Sequence, residues 1–178
     1  MPDNSKLDKL KVFLPEGEGV LTEEICIKML EAAELPENII KHCKAVKNKA
    51  VNLARALNEK AYSLDLKLIE SAALLHDICR LQENHPAAGA ELLAGLGYEA
   101  EADIIRQHHD LDDDNIINEA AIVYLADKLI KGDRPVSLSE RFEQSSQKCR
   151  SPEAAAAHKR RYKQAKKVLA LVENILNN

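Results

Sequence analysis

The residues that punctuate strands are scarce in this chain: 178 residues hold six glycines, six prolines and 3% aromatics. Sheet-rich folds need turn glycines and β-branched or aromatic runs. Their scarcity excludes an extensive sheet and predicts an all-α fold, a helical bundle. There is no CxxC pair, since Cys26, Cys43, Cys79 and Cys149 lie far apart, and this argues against a cysteine zinc site. The first three fall within apolar helical patterns and are expected to be buried and reduced. No run approaches the roughly 18 apolar residues of a membrane span. The opening MPDNSKLDKLKVF lacks the apolar stretch of a secretion signal. A cytoplasmic protein without a membrane partner is therefore expected. Positive charge is also lacking, the formal net charge being −4. That field does not suit nonspecific nucleic-acid binding, and no nucleic-acid partner is expected. A phosphate substrate remains compatible, because a bound cation supplies positive charge locally.

What is present is helical periodicity. The length suits one domain that buries a core without disulfides or a structural metal. Residues 1–20 read as a flexible, polar N-terminal extension, 21–150 as the domain, and 151–178 as a C-terminal helix. That last helix is expected to pack on the body or on a second subunit of a homodimer. Helices are predicted from about Thr22, from Pro36 to Leu57, from Asp65 through His76, and from Asn84 to Gly97. Further helices run from Glu99 to His109, from Asn118 to Ile130, from the Ser137-Leu-Ser-Glu140 capping box, and from Ser151-Pro152 to Leu176. An acidic loop, Asp110 to Asn115, separates the fifth from the sixth.

Five of the six histidines, His42, His76, His85, His108 and His109, fall on or at the edge of these helices. Any ligands among them must converge in space. His76 and Asp77 are adjacent, about 100° apart around a helix, and both reach an ion placed between them. His42 lies one turn from Ile39 and Val46, on the core side. Asp127 follows Tyr124-Leu-Ala126 in an apolar helix, where an aspartate is costly unless paired or bound to metal. Pairing with Lys128 is the plain alternative. Mixed imidazole and carboxylate ligands suit Fe, Mn, Co, Ni or Zn rather than Ca or Mg.

Five stretches appear in a telling order: His42-Cys-Lys-Ala-Val46, Ala72-Ala-Leu-Leu-His76-Asp77-Ile-Cys-Arg80, His85-Pro-Ala-Ala-Gly89-Ala-Glu-Leu-Leu93, Ile104-Ile-Arg-Gln-His108-His109 and Leu125-Ala-Asp127-Lys128. Together, over residues 36–132, they resemble the HD superfamily of metal-dependent phosphohydrolases. The resemblance implies a first divalent metal held by His42, His76, Asp77 and Asp127. It implies a second held by His85, His108 and His109, with Asp77 bridging; members with a single ion are the alternative. The implied reaction is cleavage of a phosphoester or phosphoanhydride in a small nucleotide-like substrate by metal-activated water. Asp77 is then a catalytic residue. Arg80 matches a basic position of the family and would hold a substrate phosphate with its planar fork, if the helix continues and puts it on the face of His76. A helix-end charge is the plain reading of Arg80.

The likeness has limits. No Gly-Tyr-Pro follows the paired histidines, so the cyclic-dinucleotide subgroup is not implied. Arg134 and Arg141 are candidate phosphate contacts, or structural partners of nearby acids. Lys159, Lys163, Lys166 and Lys167 read as a solvated face, and His158 as an exposed bystander. The same ligand set also serves di-iron oxygenases, and an HD module that only senses a nucleotide is a further alternative.

Overall fold

The computed structural model describes residues 10–12, 20–147 and 149–178. Among the described residues there are eight α-helices and one two-stranded ribbon. The helices are α1 (Glu23–Ala32), α2 (Glu37–Asn58), α3 (Leu66–Leu75), α4 (His85–Gly95), α5 (Glu99–Gln107), α6 (Glu119–Lys128), α7 (Leu138–Ser146) and α8 (Pro152–Asn177). The ribbon joins β1 (Ile130–Lys131) to β2 (Arg134–Pro135) in antiparallel register, Ile130 opposite Pro135. The fold is thus the expected all-α bundle. Most of residues 1–20 lie outside the described residues; within that stretch residues 10–12 and 20 are described, and Leu10 is buried in the core.

Short polar side chains start the helices. Thr22, Asp65, Asn118, Ser137 and Ser151 each accept a first-turn N–H, which supplies a partner the helix itself cannot. Each such cap typically stabilises by about 1 kcal/mol. Asn84 departs from the expectation. Its backbone is left-handed, with φ at 49°, and its side chain makes no capping bond.

Two apolar clusters form the interior. One gathers α2, α3, α6 and α8 around the fully buried Tyr124, Val46, Ile69 and Val168. The other gathers α1, α4, α5 and the end of α3 around Met29, Leu75, Leu93 and Ile105. Helix α3 belongs to both because its sequence, LKLIESAALL, is apolar on nearly every side. It packs against α1, α2, α5 and α6, and its C-terminal end is where the two clusters meet. Helix α8 covers the first cluster with Ala165, Val168 and Val172. Gly89 lets α4 come close to α5, since a Cβ there would lie 3.1 Å from Ile105 Cγ2. Among the described residues no helix is long and apolar enough to cross a membrane.

Candidate metal centre

The histidines and aspartates sit mainly at helix ends. The helix that leads to the HD pair ends before Arg80. It stops at Leu75, His76 is its C-cap, and tight turns follow, with Ile78 N donating to Leu75 O and Arg80 N to Asp77 O. His108 likewise caps α5, one residue before the expected end. His85 opens α4, and Asp127 lies in the last turn of α6. The final carbonyls of a helix lack intrahelical partners. The two capping histidines supply them: His76 Nδ1 lies 2.8 Å from Ala73 O and His108 Nδ1 2.6 Å from Ile105 O. His42 Nδ1 lies 2.8 Å from Gly132 O, at the turn of the ribbon. In each case Nδ1 carries the proton, and the Nε2 lone pair faces the other way.

Those Nε2 atoms converge. His42 Nε2 lies 3.2 Å from Asp127 Oδ1, although 85 positions separate the two residues. His42, His76 and Asp127 form one group whose ligand atoms all fall within 4.8 Å of one another, and His85, His108 and His109 form a second. Asp77 stands between them. Its Oδ2 is 3.6 Å from His76 Nε2 and 4.0 Å from His42 Nε2. Its Oδ1 is 3.1 Å from His85 Nε2 and 3.7 Å from His108 Nε2. One carboxylate oxygen thus faces each group.

Electrostatics prepare these groups as ligands. Burial lowers the pKa of His76, and that of His108 further still. Burial, with the Lys128 charge adding to it, lowers His109 to about 3. All three are neutral and keep a lone pair at physiological pH. Burial also acts to lower His42, but the negative Asp127 carboxylate, 3.2 Å from its Nε2, outweighs it and raises the pKa. Burial opposes ionisation of Asp127, yet the Lys128 ammonium, 2.7 Å from Oδ2, holds its pKa well below the usual carboxylate range. The same contest at Asp77 is won by the imidazoles around it, His76 first.

Two buried nitrogens test whether a cation fits. Among the described residues His76 Nε2 and His108 Nε2 have no hydrogen-bond partner. A buried polar atom left unpaired costs about 1–3 kcal/mol. One such atom belongs to each group, and each is a lone pair facing a carboxylate. The donor set suits divalent transition metals. Asp127 shows that the two readings of it are compatible: Oδ2 pairs with Lys128, which also donates to His108 O at 2.8 Å, while Oδ1 remains for the histidine group.

A cavity of about 470 Å³ opens beside the centre. His42, Asp77, His109 and Asp127 reach it from one side, and Arg141, Ser145, His158 and Arg161 line it from α7 and α8. Arg80 reaches the site from the turns after α3 and not from a shared helical face. Its Nη1 donates to His85 Nε2 at 3.0 Å and its Nε lies 3.7 Å from Asp77 Oδ2, while the side chain stays partly exposed. Arg141 Nη2 lies 3.9 Å from Asp127 Oδ1. Arg134 is exposed on β2 and does not line the cavity. His158 is not an exposed bystander. It is half-buried, its Nε2 is 2.8 Å from Ser145 Oγ, and its ring meets Phe142 edge-on. Sequence reasoning missed Gly132 O, Ser145, His158 and Arg161. Only the basic character of Arg161 was visible beforehand; the others depend on how α7, α8 and the ribbon pack.

Comparison with known proteins agrees with this geometry. Residues 39–132, more than half of the chain, match the HD domain family. An uncharacterised protein of Methanocaldococcus jannaschii is 38% identical over 76 residues, 41% of this chain and 45% of that protein. A tRNA (cytidine(56)-2'-O)-methyltransferase of Thermoplasma volcanium is 29% identical over 151 residues, 74% of this chain and 41% of that protein. The chain therefore spans less than half the length of either relative. No solved structure matches. Six histidine and aspartate ligand candidates beyond His42 follow the order of the sequence and meet at the end of α3, within or beside the matched segment, and on these grounds the chain belongs to the HD domain family.

Proposed function

We propose that the protein is a metal-dependent phosphohydrolase that cleaves a phosphoester or phosphoanhydride of a small nucleotide-like substrate. The observation that carries this reading is the Asp77 carboxylate, with one oxygen toward each of two histidine groups and an orphaned Nε2 in each group. That arrangement fits two divalent ions. His42, His76 and Asp127 would hold one, His85, His108 and His109 the other, and Asp77 would serve both. Such ions activate water as a nucleophile near neutral pH and polarise a phosphoryl oxygen.

The chain's own residues do the rest. Backbone carbonyls of Ala73, Ile105 and Gly132 fix the imidazole tautomers and aim Nε2 inward. Lys128 keeps Asp127 ionised. Arg80, at the mouth beside Asp77 and His85, is placed to turn its planar fork onto a substrate phosphoryl group. The cavity's lining arginines favour an anion, which is why we place hydrolysis of a phosphate compound ahead of oxygen chemistry at two irons.

The test is metal analysis of the purified protein followed by a nucleotide and phosphoester panel with Mn or Co added. Two metal equivalents and hydrolysis of one panel compound are expected. His76→Ala should abolish metal and turnover, whereas His108→Ala should lose one equivalent with the fold intact. A protein that never holds more than one ion sinks the two-metal version. Oxygen consumption dependent on reduced iron, with no phosphate released from any compound, would replace hydrolysis by oxygenase chemistry.

A further inference from the structure

We propose that the face of α7 and α8 across the cavity is a second anion subsite. It receives a phosphate directly linked to the one held at the metal centre, so the substrate is a phosphoanhydride. The proposal rests on the phosphohydrolase reading and narrows it. None of the residues that build this face lies within the matched segment 39–132.

Arg141 is the first element of the subsite. It projects from the first turn of α7, and its Nη2 is 3.9 Å from Asp127 Oδ1. That is close enough to feel the ligand carboxylate and too long for a hydrogen bond. Among the described residues no hydrogen bond uses its guanidinium N–H donors, and its side chain is 30% exposed. An arginine fork with unspent donors beside a metal-ligating carboxylate suits bidentate phosphate recognition. Its closeness to Asp127 fits a phosphate sharing a bridging oxygen with the reacting group; a remote second phosphate would need a more distant cation.

Arg161 is the second element. It lines the same cavity from α8 and donates to Asp110 Oδ2 from Nε at 3.0 Å and from Nη2 at 2.6 Å. Arg160 Nη2 donates to the other oxygen at 3.2 Å. One carboxylate shared by two guanidinium groups leaves surplus positive charge at the wall. The floor has no such surplus to spare, because Lys128 is spent on Asp127 and His108 O.

A polar and aromatic seam sets the spacing of the two arginines. Ser145 Oγ donates to Phe142 O at 3.2 Å, so it accepts from His158 Nε2 at 2.8 Å. Phe142 stacks on Tyr162 with ring centroids 4.8 Å apart. These contacts tie α7 to α8, so Arg141 and Arg161 are carried on one fixed frame.

In the reaction, a water oxygen forms a new bond to the phosphorus at the metal centre. The bridging P–O bond breaks, and its electron pair stays on the departing phosphate. A proton from the water passes to solvent. Arg141 meets the negative charge that grows on the departing phosphate.

The probes are orthophosphate and methylenediphosphonate, a linked pair of phosphonates that water does not cleave. Binding of each to the full chain is measured calorimetrically at fixed free Mn, with metal content checked after each titration. The wild type should bind the diphosphonate about tenfold more tightly or better, the low end for one charge-assisted hydrogen bond. Arg141→Ala should bring the two affinities within about threefold while orthophosphate binding and metal content hold, and Arg141→Lys should keep part of the preference. Circular dichroism checks that both variants fold. Equal affinity for the two probes in the wild type, or an undiminished preference in Arg141→Ala, overturns the subsite and leaves hydrolysis standing. Failure to bind either probe overturns it as well. Tight diphosphonate binding without turnover of any panel compound overturns hydrolysis and leaves the subsite standing.

Discussion

At the scale of single residues, three imidazoles have their tautomer set by a backbone oxygen that is easy to overlook. His42, His76 and His108 were legible as ligand candidates, because an ordered series of histidines and aspartates resembles the HD pattern. Their backbone partners were not. Gly132 O reaches His42 only because the chain turns there with φ at 60°, and nothing in a glycine's identity announces what its carbonyl will accept. Arg80 was read as a phosphate contact on condition that the helix continue past His76, and that condition fails. It arrives through the turns after α3 and lies on His85 and Asp77. If it holds the reacting phosphoryl group, Arg80→Ala should leave metal content unchanged and lower turnover by about 10²–10³. Arg80→Lys should recover part of that. Steady-state kinetics on the best panel compound decides it, and near-wild-type turnover would reduce Arg80 to a helix-end charge.

At the scale of elements, capping residues made the helix starts legible and tertiary packing hid several ends. Asp65, Asn118, Ser137 and Ser151 cap as their identities imply. Helix α6 was expected to reach Ile130, but Ile130 pairs with Pro135 in the ribbon, a contact no local pattern encodes. Docking of α8 was legible only as an apolar side; its charged anchors were not. Asp110, next to His109, is one such anchor through Arg160 and Arg161, and Asp114 is another through Lys167. Burial opposes the charge on Asp110, but the Arg161 bonds outweigh it and lower the pKa. A carboxylate with a depressed folded pKa stabilises the fold above its unfolded pKa, about 3.9, and that stabilisation is lost as pH falls through the folded value. Side-chain exposure of 39% and 35% screens the pair, so it should contribute at most about 1 kcal/mol. The Tm of Asp110→Asn should sit below wild type by a constant gap from about pH 7 to about pH 5, and the gap should close below about pH 4. A gap that persists undiminished at about pH 3 would assign the anchoring to apolar contacts instead.

At the scale of the whole molecule, two apolar clusters meet at the end of α3, and the polar centre lies at their junction. The bundle has a core of its own, so metal is expected to add to stability without being required for folding. An ion held at about a hundred times its Kd adds about 2.7 kcal/mol. For a chain of this size that corresponds to about 5–10 °C in Tm. Chelation should therefore lower Tm by about that much while far-UV circular dichroism below the transition stays helical. Loss of helical signal on chelation at room temperature would mean that the two clusters cannot hold the bundle alone.

The inward-facing rings of His76 and His108 have a consequence for spectroscopy. Their side chains are 0% and 1% exposed, and each Nδ1 proton points at a buried carbonyl. Imidazole protons open to water exchange too fast to be seen, but these two must wait for local opening of the bundle. They should appear as sharp downfield resonances in a proton spectrum of the metal-free protein, and their fading on warming would time how often the ends of α3 and α5 come apart.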